Sequence, residues 1–177
     1  MILVSNYLLL LKDFKLPKDA VVRVNLAHVD SVRGLNEILE VGNDVFLDFP
    51  KDRRKPPTGV IPLSVAIETM GIHSNVKYFA VSNTEDPNQI KTIRECVPYR
   101  VSVVPKIETI KGVLHLQGII DAVNPAYIML DSEDLFLDVG DVNIFKDMCS
   151  RVEETCKSND VGLLRLSGVI FCDTMHS

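Results

Sequence analysis

A lysine and two carboxylates stand at positions where a folded chain could use them for chemistry. Lys106 and Glu108 follow an apolar run that begins at Val101, and Asp134 comes 26 residues after Glu108, beyond a second apolar run. Side chains alternate along a strand, so Lys106 and Glu108 project to the same side. Carboxylate oxygens suit a hard divalent cation such as Mg²⁺, which takes few protein ligands and completes its shell with substrate oxygens. The spacing therefore predicts a cation site with a lysine beside it.

The elements around these residues form a strand–helix–strand pattern. The apolar run Val101–Val104 is followed by an amphipathic stretch, Gly112–Val123, and then by the apolar run Ala126–Leu130. Such a unit has two parallel strands joined by a right-handed crossover. Both acidic segments must then lie at the same edge of the sheet, which is where parallel α/β folds bind ligands.

Apolar runs alternate with helical patterns through the rest of the chain, which predicts an α/β fold with a mainly parallel sheet. Asp86-Pro87 marks a helix start, with an N-cap followed by proline at the first helical position. The other predicted strands are Met1–Ser5 or Tyr7–Leu11, Val21–Leu26, Val45–Phe49, Tyr78–Ser82, Val161–Leu166 and Val169–Cys172. The other predicted helices are Ser31–Val41, Val60–Ser74, Pro87 to about Val97, and Val142–Lys157.

This element order predicts a (β/α)8-type TIM barrel that is shortened or incomplete. A full barrel typically needs about 250 residues, with roughly 200 as a lower bound, and the chain has 177. We expect one domain over residues 1–177. We also expect a homo-oligomer that covers the open edge of the sheet.

Composition excludes several classes of function. A formal net charge of −5 argues against nucleic-acid binding. The apolar N-terminus, Met1–Leu11, is too short to span a bilayer, so no membrane association is expected. The four cysteines have no C-x-x-C spacing and are interpreted as reduced thiols of a cytoplasmic protein.

Over roughly residues 20–140 the sequence resembles the barrel domain of the pyruvate kinase family. The segments that carry the resemblance are Arg23-Val24-Asn25-Leu26-Ala27-His28, Val45-Phe46-Leu47-Asp48, Val104-Pro105-Lys106-Ile107-Glu108 and Ile128-Met129-Leu130-Asp131-Ser132-Glu133-Asp134-Leu135. The wider superfamily of phosphoenolpyruvate- and pyruvate-binding TIM barrels, which includes the HpcH/HpaI aldolases, has a similar pattern. Its counterparts here are Ile107-Glu108-Thr109 and the stretch from Asp134-Leu135 to Val139-Gly140.

The resemblance implies a set of roles. Lys106 and Arg23 would be catalytic and would stabilise an enolate or phosphoryl charge, while Glu108 and Asp134 would hold Mg²⁺ or Mn²⁺. The implied substrate-binding residues are Arg23, Asn25, Asp48, Ser132 and Glu133. Phe49 stands where the family has threonine, so the resemblance does not extend to its K⁺ site. The family's lid domain is reduced to the loop of residues 51–59, and its C-terminal domain is missing.

Three hypotheses about function follow. The first is a pyruvate-kinase-like, Mg²⁺-dependent enzyme that binds phosphoenolpyruvate, pyruvate or a related 2-oxoacid, without the lid that full nucleotide-dependent activity needs. The second is a metal-dependent aldolase or C–C lyase, with His28 as the base and Arg53 or Arg54 as its arginine. The third is a degenerate, non-catalytic barrel that serves binding or assembly. In that case Arg23 would pair with Asp48, and Lys106 would form a structural salt bridge to Glu108 or Asp134.

Overall fold

The computed structural model of the protein describes residues 2–7, 16–52, 57 and 61–166. The strands are β1 Ile2–Ser5, β2 Ala20–Asn25, β3 Val45–Phe49, β4 Val76–Val81, β5 Ser102–Ile107, β6 Tyr127–Asp131 and β7 Gly162–Leu166. The helices are α1 Val32–Leu39, α2 Leu63–Ile72, α3 Pro87–Cys96, α4 Ile110–Leu114, α5 Leu116–Val123, α6 Ser132–Val139 and α7 Val142–Ser158. A 3₁₀ turn, Leu26–His28, follows β2 directly.

The strands pair in chain order, β1 through β7, and every pair is parallel. This confirms the predicted α/β fold with a parallel sheet. The sheet curls into part of a barrel, which is consistent with a shortened TIM-barrel-like fold. Within the described residues β1 and β7 each pair with one strand.

The two faces of the sheet carry separate apolar clusters. The outer cluster joins strand residues such as Val24, Leu47 and Phe79 to the helices. The inner cluster consists of Val21, Phe46, Ala80, Val104 and Met129. Full burial of a side chain of this kind contributes about 1.5–3 kcal/mol to the free energy of folding.

The alternation of side chains along each strand sets the position of the polar residues at the strand ends. Four members of the inner cluster are followed, two residues later on the same face, by a charged residue. The pairs are Val21 and Arg23, Phe46 and Asp48, Val104 and Lys106, and Met129 and Asp131. The apolar layer of the inner face therefore ends in a charged layer at the C-terminal edge of the sheet.

The structure confirms several predicted elements and corrects others. Strand β3 has the predicted bounds, and Asp86 caps α3 with its side chain while Pro87 is the first helical residue. The predicted helix Gly112–Val123 is two helices, because the helical conformation is interrupted at His115, which caps both α4 and α5. Helix α6 was not predicted.

Some predictions concern residues outside the described part. Met1–Ser5 corresponds to β1, whereas most of the alternative Tyr7–Leu11 and all of Val169–Cys172 lie outside it. In the loop of residues 51–59, only Lys51, Asp52 and Pro57 are described. Among the helices that the structure describes, none has both the length and the apolar run needed to cross a bilayer.

Candidate active site

Lys106 lies at the centre of the charged layer, bridging two carboxylates. Its Nζ is 2.7 Å from Oε1 of Glu108 and 2.9 Å from Oδ2 of Asp131. All three residues are buried, at 5%, 4% and 6% exposure. Lys106 projects from β5, Asp131 ends the neighbouring strand β6, and Glu108 follows β5 directly. Two adjacent strands thus create a compact buried ion cluster.

Three carboxylates converge at this edge. Oxygens of Glu108, Asp131 and Asp134 all lie within 4.8 Å of one another. Three hard oxygen donors at such distances suit Mg²⁺ or Mn²⁺, so the donor chemistry fits a divalent cation. The sequence pattern had pointed to Glu108 and Asp134, and the structure brings these two together. Asp131 is a third member that the sequence argument did not assign to the metal.

Asp131 and Asp134 are linked through the start of α6. Asp131 is the N-cap of this helix, and its Oδ1 accepts a hydrogen bond of 3.4 Å from the backbone amide of Asp134. An aspartate at the N-cap satisfies a free amide of the first turn and interacts favourably with the helix dipole. The cap therefore fixes where Asp134 lies relative to Asp131.

Glu108 is positioned by the backbone of the loop after β4. The amide of Asn83 donates a 2.6 Å hydrogen bond to Oε2 of Glu108. Asn83 has a φ of 48°, in the left-handed region that asparagine tolerates better than most residues. Its side chain donates to the carbonyl of Lys51, and Nζ of Lys51 donates to the carbonyl of Asn83. This reciprocal pair holds the β4–α3 loop against the loop after β3.

Arg23 and Asp48 form a second ion pair on the neighbouring strands β2 and β3. Nε and Nη2 of Arg23 both donate to Oδ2 of Asp48, with Nε at 3.1 Å. Asp48 is 2% exposed, whereas the side chain of Arg23 is 21% exposed. The pairing that the third hypothesis expected is therefore present. The implied roles of both residues toward a substrate remain predictions.

Burial and neighbouring charges shift the pKa values of Lys106 and Glu108. Burial alone would lower the pKa of the Lys106 ammonium, but the carboxylates of Asp48, Glu108 and Asp131 outweigh it and raise that pKa. Burial raises the pKa of the Glu108 carboxyl, and Asp131 adds to this effect. Lys106 and the Asn83 amide oppose the rise in the pKa of Glu108 without cancelling it. The ammonium that Glu108 and Asp131 share therefore holds its proton firmly.

A cleft with a volume of about 520 Å³ opens beside Glu108 and Asp134. Its walls come from the loops that follow β3, β4 and β5, together with α6. The lining residues are Lys51, Asp52, Ser82, Asn83, Glu85, Glu108, Thr109, Asp134, Leu137 and Asp138. The candidate cation cluster is therefore open to a small ligand from this side.

The other predicted site residues that the structure describes lie at the same edge of the sheet, but they are not part of the three-carboxylate cluster. The side-chain oxygen of Asn25 accepts a 3.0 Å hydrogen bond from the amide of Ala27 and caps the turn after β2. His28, on this turn, is exposed and makes an edge contact with the ring of Tyr7. Ser132 begins α6, and Glu133 is exposed. Arg53 and Arg54 lie outside the described residues.

Comparisons with known proteins identify similar folds at low sequence identity. RipC from Yersinia pestis aligns with a TM-score of 0.70 at 13% identity, over 97% of this chain and 77% of RipC. A variant of the citrate synthase SbnG aligns at 0.64 and 12%, over 83% of this chain and 66% of that one. Macrophomate synthase aligns at 0.64 and 14%, over 92% of this chain and 69% of that one.

These likenesses show the fold alone. No protein-family model matches the sequence, and no curated protein matches it either. The structural neighbours are longer than this chain, which covers between 66% and 77% of their lengths.

Proposed function

We propose that the protein is a divalent-metal-dependent lyase of the aldolase type, which breaks or forms a carbon–carbon bond next to the enolate of a 2-oxoacid such as pyruvate. One observation carries the proposal: three carboxylates converge at the C-terminal edge of the sheet, beside the buried ammonium of Lys106 and an open cleft. Three carboxylate oxygens within reach of one another favour binding of a cation, and Lys106 can stabilise a developing anion.

Each part of the proposed reaction is assigned to particular residues. Glu108, Asp131 and Asp134 would hold Mg²⁺ or Mn²⁺, which when bound supplies a Lewis acid for the 2-oxo group. A base, for which His28 is the candidate, removes the proton of a hydroxyl at C4 of the substrate. The C3–C4 bond then breaks, an aldehyde leaves, and the electron pair forms the enolate. Lys106 stabilises the enolate charge until C3 takes up a proton.

The comparisons support this proposal over the kinase-like hypothesis. Two of the similar folds belong to proteins named as synthases, a citrate synthase variant and macrophomate synthase. The segments around Glu108 and Asp134 also resemble the HpcH/HpaI aldolases. A kinase-like reaction needs a nucleotide held under a lid, and the sequence has only the loop of residues 51–59 at that position. A lyase of this type needs no nucleotide.

The test is exchange of the methyl protons of pyruvate for deuterium, followed by proton NMR in D₂O. The proposal predicts exchange that requires Mg²⁺, stops with a chelator, and falls at least about a hundredfold in Glu108→Gln. Asp138→Asn, which changes another carboxylate of the same cleft, should retain most of the exchange. Release of pyruvate from a 4-hydroxy-2-oxoacid then tests the bond cleavage itself. A folded protein that catalyses neither reaction with the metal present would refute the proposal.

One observation favours the non-catalytic hypothesis as a second candidate. Lys106 already neutralises part of the acidic cluster through two buried contacts, as a structural salt bridge would. If this is its whole role, the protein binds neither Mn²⁺ nor oxalate, an analogue of the pyruvate enolate. Calorimetry of both ligands on the wild-type protein separates this candidate from the lyase.

A further inference from the structure

Lys106 occupies oxygens that a divalent cation would need. Its Nζ contacts Oε1 of Glu108 and Oδ2 of Asp131. The second oxygen of each carboxylate is also engaged, Oε2 of Glu108 by the Asn83 amide and Oδ1 of Asp131 by the Asp134 amide. A cation that binds Glu108 and Asp131 must therefore displace a partner or share an oxygen with one.

The partners differ in how easily they can leave. The Asn83 amide belongs to a backbone held by its reciprocal hydrogen bonds with Lys51. The Asp134 amide belongs to the first turn of α6. Lys106 instead carries its charge on a flexible four-carbon stem with three rotatable donors. Of these partners, Lys106 is the one that can move without a change in the backbone.

The charge of the cluster fits an exchange of cations. The formal charges of Glu108, Asp131, Asp134 and Lys106 sum to two minus. A divalent ion placed beside an ammonium that still contacted the same oxygens would be repelled by it at short range, where unscreened charges interact strongly. Movement of the ammonium removes that repulsion and leaves a buried positive charge without a partner.

We propose that Lys106 is a resident counter-cation of this site: a divalent cation displaces it from Glu108 and Asp131, and the released ammonium then binds the anionic group of the ligand. The inference rests on the cation site of the proposed function, but not on catalysis. It predicts that metal and anion bind cooperatively, because the lysine becomes available to an anion only after the metal has taken its place.

The experiment measures Mn²⁺ affinity by calorimetry on wild type, Lys106→Met and Lys111→Met. Lys111 supplies a matched control: it lies on α4 near the cleft, pairs with Glu85 at 3.2 Å, and has a side chain that is 60% exposed. We expect Lys106→Met to bind Mn²⁺ at least about tenfold more tightly than wild type, because a competing charge at short range is gone. Lys111→Met should stay within about threefold of wild type, since exposed charges are screened.

A second arm measures oxalate affinity with and without saturating Mg²⁺. Wild type should bind oxalate at least about tenfold more tightly with Mg²⁺, and Lys106→Met should lose most of this gain. If Lys106→Met does not fold, Lys106→Gln replaces it. If neither variant folds, the effect of Mg²⁺ on oxalate affinity in wild type decides, and its absence overturns the inference.

The outcomes separate this inference from the lyase proposal. A folded neutral variant that binds Mn²⁺ no more tightly than wild type, or not at all, overturns the counter-cation role. If the neutral variant binds Mn²⁺ and wild type does not, Lys106 is never displaced, and both the counter-cation role and the lyase proposal fail. If wild type binds Mn²⁺ and oxalate as expected but catalyses neither proton exchange nor bond cleavage, the counter-cation role stands and the lyase proposal fails. Tighter binding by the variant, with cooperative oxalate binding in wild type, supports both.

Discussion

At the scale of single residues, Asp131 changes how the candidate site works. Its carboxylate has two structural roles: one oxygen pairs with Lys106, and the other caps α6. Glu108 has a similar double engagement, with Lys106 on one oxygen and the Asn83 amide on the other. Both carboxylates are thereby fixed in place before any ligand arrives, which lowers the entropic cost of binding a cation.

We predict that Asp131→Asn weakens Mn²⁺ binding at least about tenfold, because a neutral amide replaces one of three anionic donors. The amide oxygen can still accept the Asp134 amide, so α6 should keep its cap. Calorimetry at fixed ionic strength measures the change. Asp138→Asn is the control, since Asp138 lines the cleft but is outside the three-carboxylate cluster. Equal effects of the two substitutions would show that Asp131 contributes only long-range charge.

The sequence was sufficient to predict part of this site. Lys106 and Glu108 could be placed on one side of a strand end from alternation alone, and the parallel crossover brought Asp134 to the same edge. Asp131 was not assigned to the metal, because the family pattern directs attention to Asp134. The signal that could have found it is the inner-face periodicity, since Met129 and Asp131 are two residues apart on β6.

At the scale of elements, the β4–α3 loop and α4 form a unit around Glu85. Thr109 donates a 2.9 Å hydrogen bond to Oε1 of Glu85, and Nζ of Lys111 lies 3.2 Å from Oε2. Nδ1 of His115 lies 2.6 Å from the backbone oxygen of the same residue. These contacts tie the wall of the cleft to the helix that follows Glu108.

We predict that Glu85→Gln destabilises the fold by about 0.5–1 kcal/mol at neutral pH, because the ion pair with Lys111 is lost. Burial alone would raise the pKa of Glu85, but the Thr109 hydrogen bond and the Lys111 charge lower it below the ordinary 4.5. This stabilisation is present above pH 4.5 and is lost as the pH falls through the lowered pKa of the folded state.

Urea unfolding of wild type and Glu85→Gln between pH 7 and about pH 3 measures that difference. The two proteins should converge in stability at the acid end of the range. A difference that persists unchanged there would mean that the carboxylate charge is not its cause.

Gly112 in α4 gives a steric test of the same unit. A Cβ at this position would lie 2.8 Å from the backbone oxygen of Thr84, so the β4–α3 loop would have to shift. We expect Gly112→Ala to destabilise the fold by about 1–3 kcal/mol. Gly71→Ala in α2 meets nothing within 4 Å and should be neutral or stabilising by up to about 1 kcal/mol. Thermal unfolding compares the two, and equal melting temperatures would contradict the close packing of α4.

Helix α6 shows why some elements could not be predicted from the sequence. Within the run Asp131-Ser132-Glu133-Asp134, the last three residues were interpreted as site residues, yet the run is also a favourable helix start. Asp131 is the N-cap, and Glu133 and Asp134 place negative charge in the first turn. Gly140, with a φ of 70°, then ends the helix. The same residues form the helix start and the candidate site. Interpreting them as site residues left the helix unpredicted.

At the scale of the whole molecule, the order of the seven described strands followed from the alternating pattern, whereas closure of the barrel did not. Pairing of strands far apart in the sequence depends on the ends of the chain, and Val169–Cys172, the candidate for a further strand, lies outside the described residues. The fold nevertheless aligns with RipC over 97% of this chain. A parallel sheet in chain order is therefore the part of the architecture that local patterns are sufficient to predict.

The surface of α6 and α7 carries exposed apolar side chains. Phe136, Leu137, Val142 and Ile144 are 40%, 74%, 52% and 48% exposed. The ring centroids of Phe136 and Phe145 are 5.4 Å apart in an edge-to-face arrangement, so these rings pack α6 against α7. Exposed apolar groups on adjacent helices are a common feature of protein–protein interfaces.

This surface leads us to expect a homo-oligomer, and Ile144→Glu tests the expectation. A charge buried at an interface costs several kcal/mol unless it is paired, so the substitution should shift the protein toward the monomer in light scattering and sedimentation. Ile72→Glu is the control, since Ile72 is 70% exposed on α2, outside this surface. A wild-type protein that is monomeric at concentrations of about 100 μM, or an oligomer that both variants retain, would show that α6 and α7 do not form the interface. If only Ile144→Glu dissociates, the contact lies beside the cleft, because Leu137 belongs to both the apolar surface and the cleft wall.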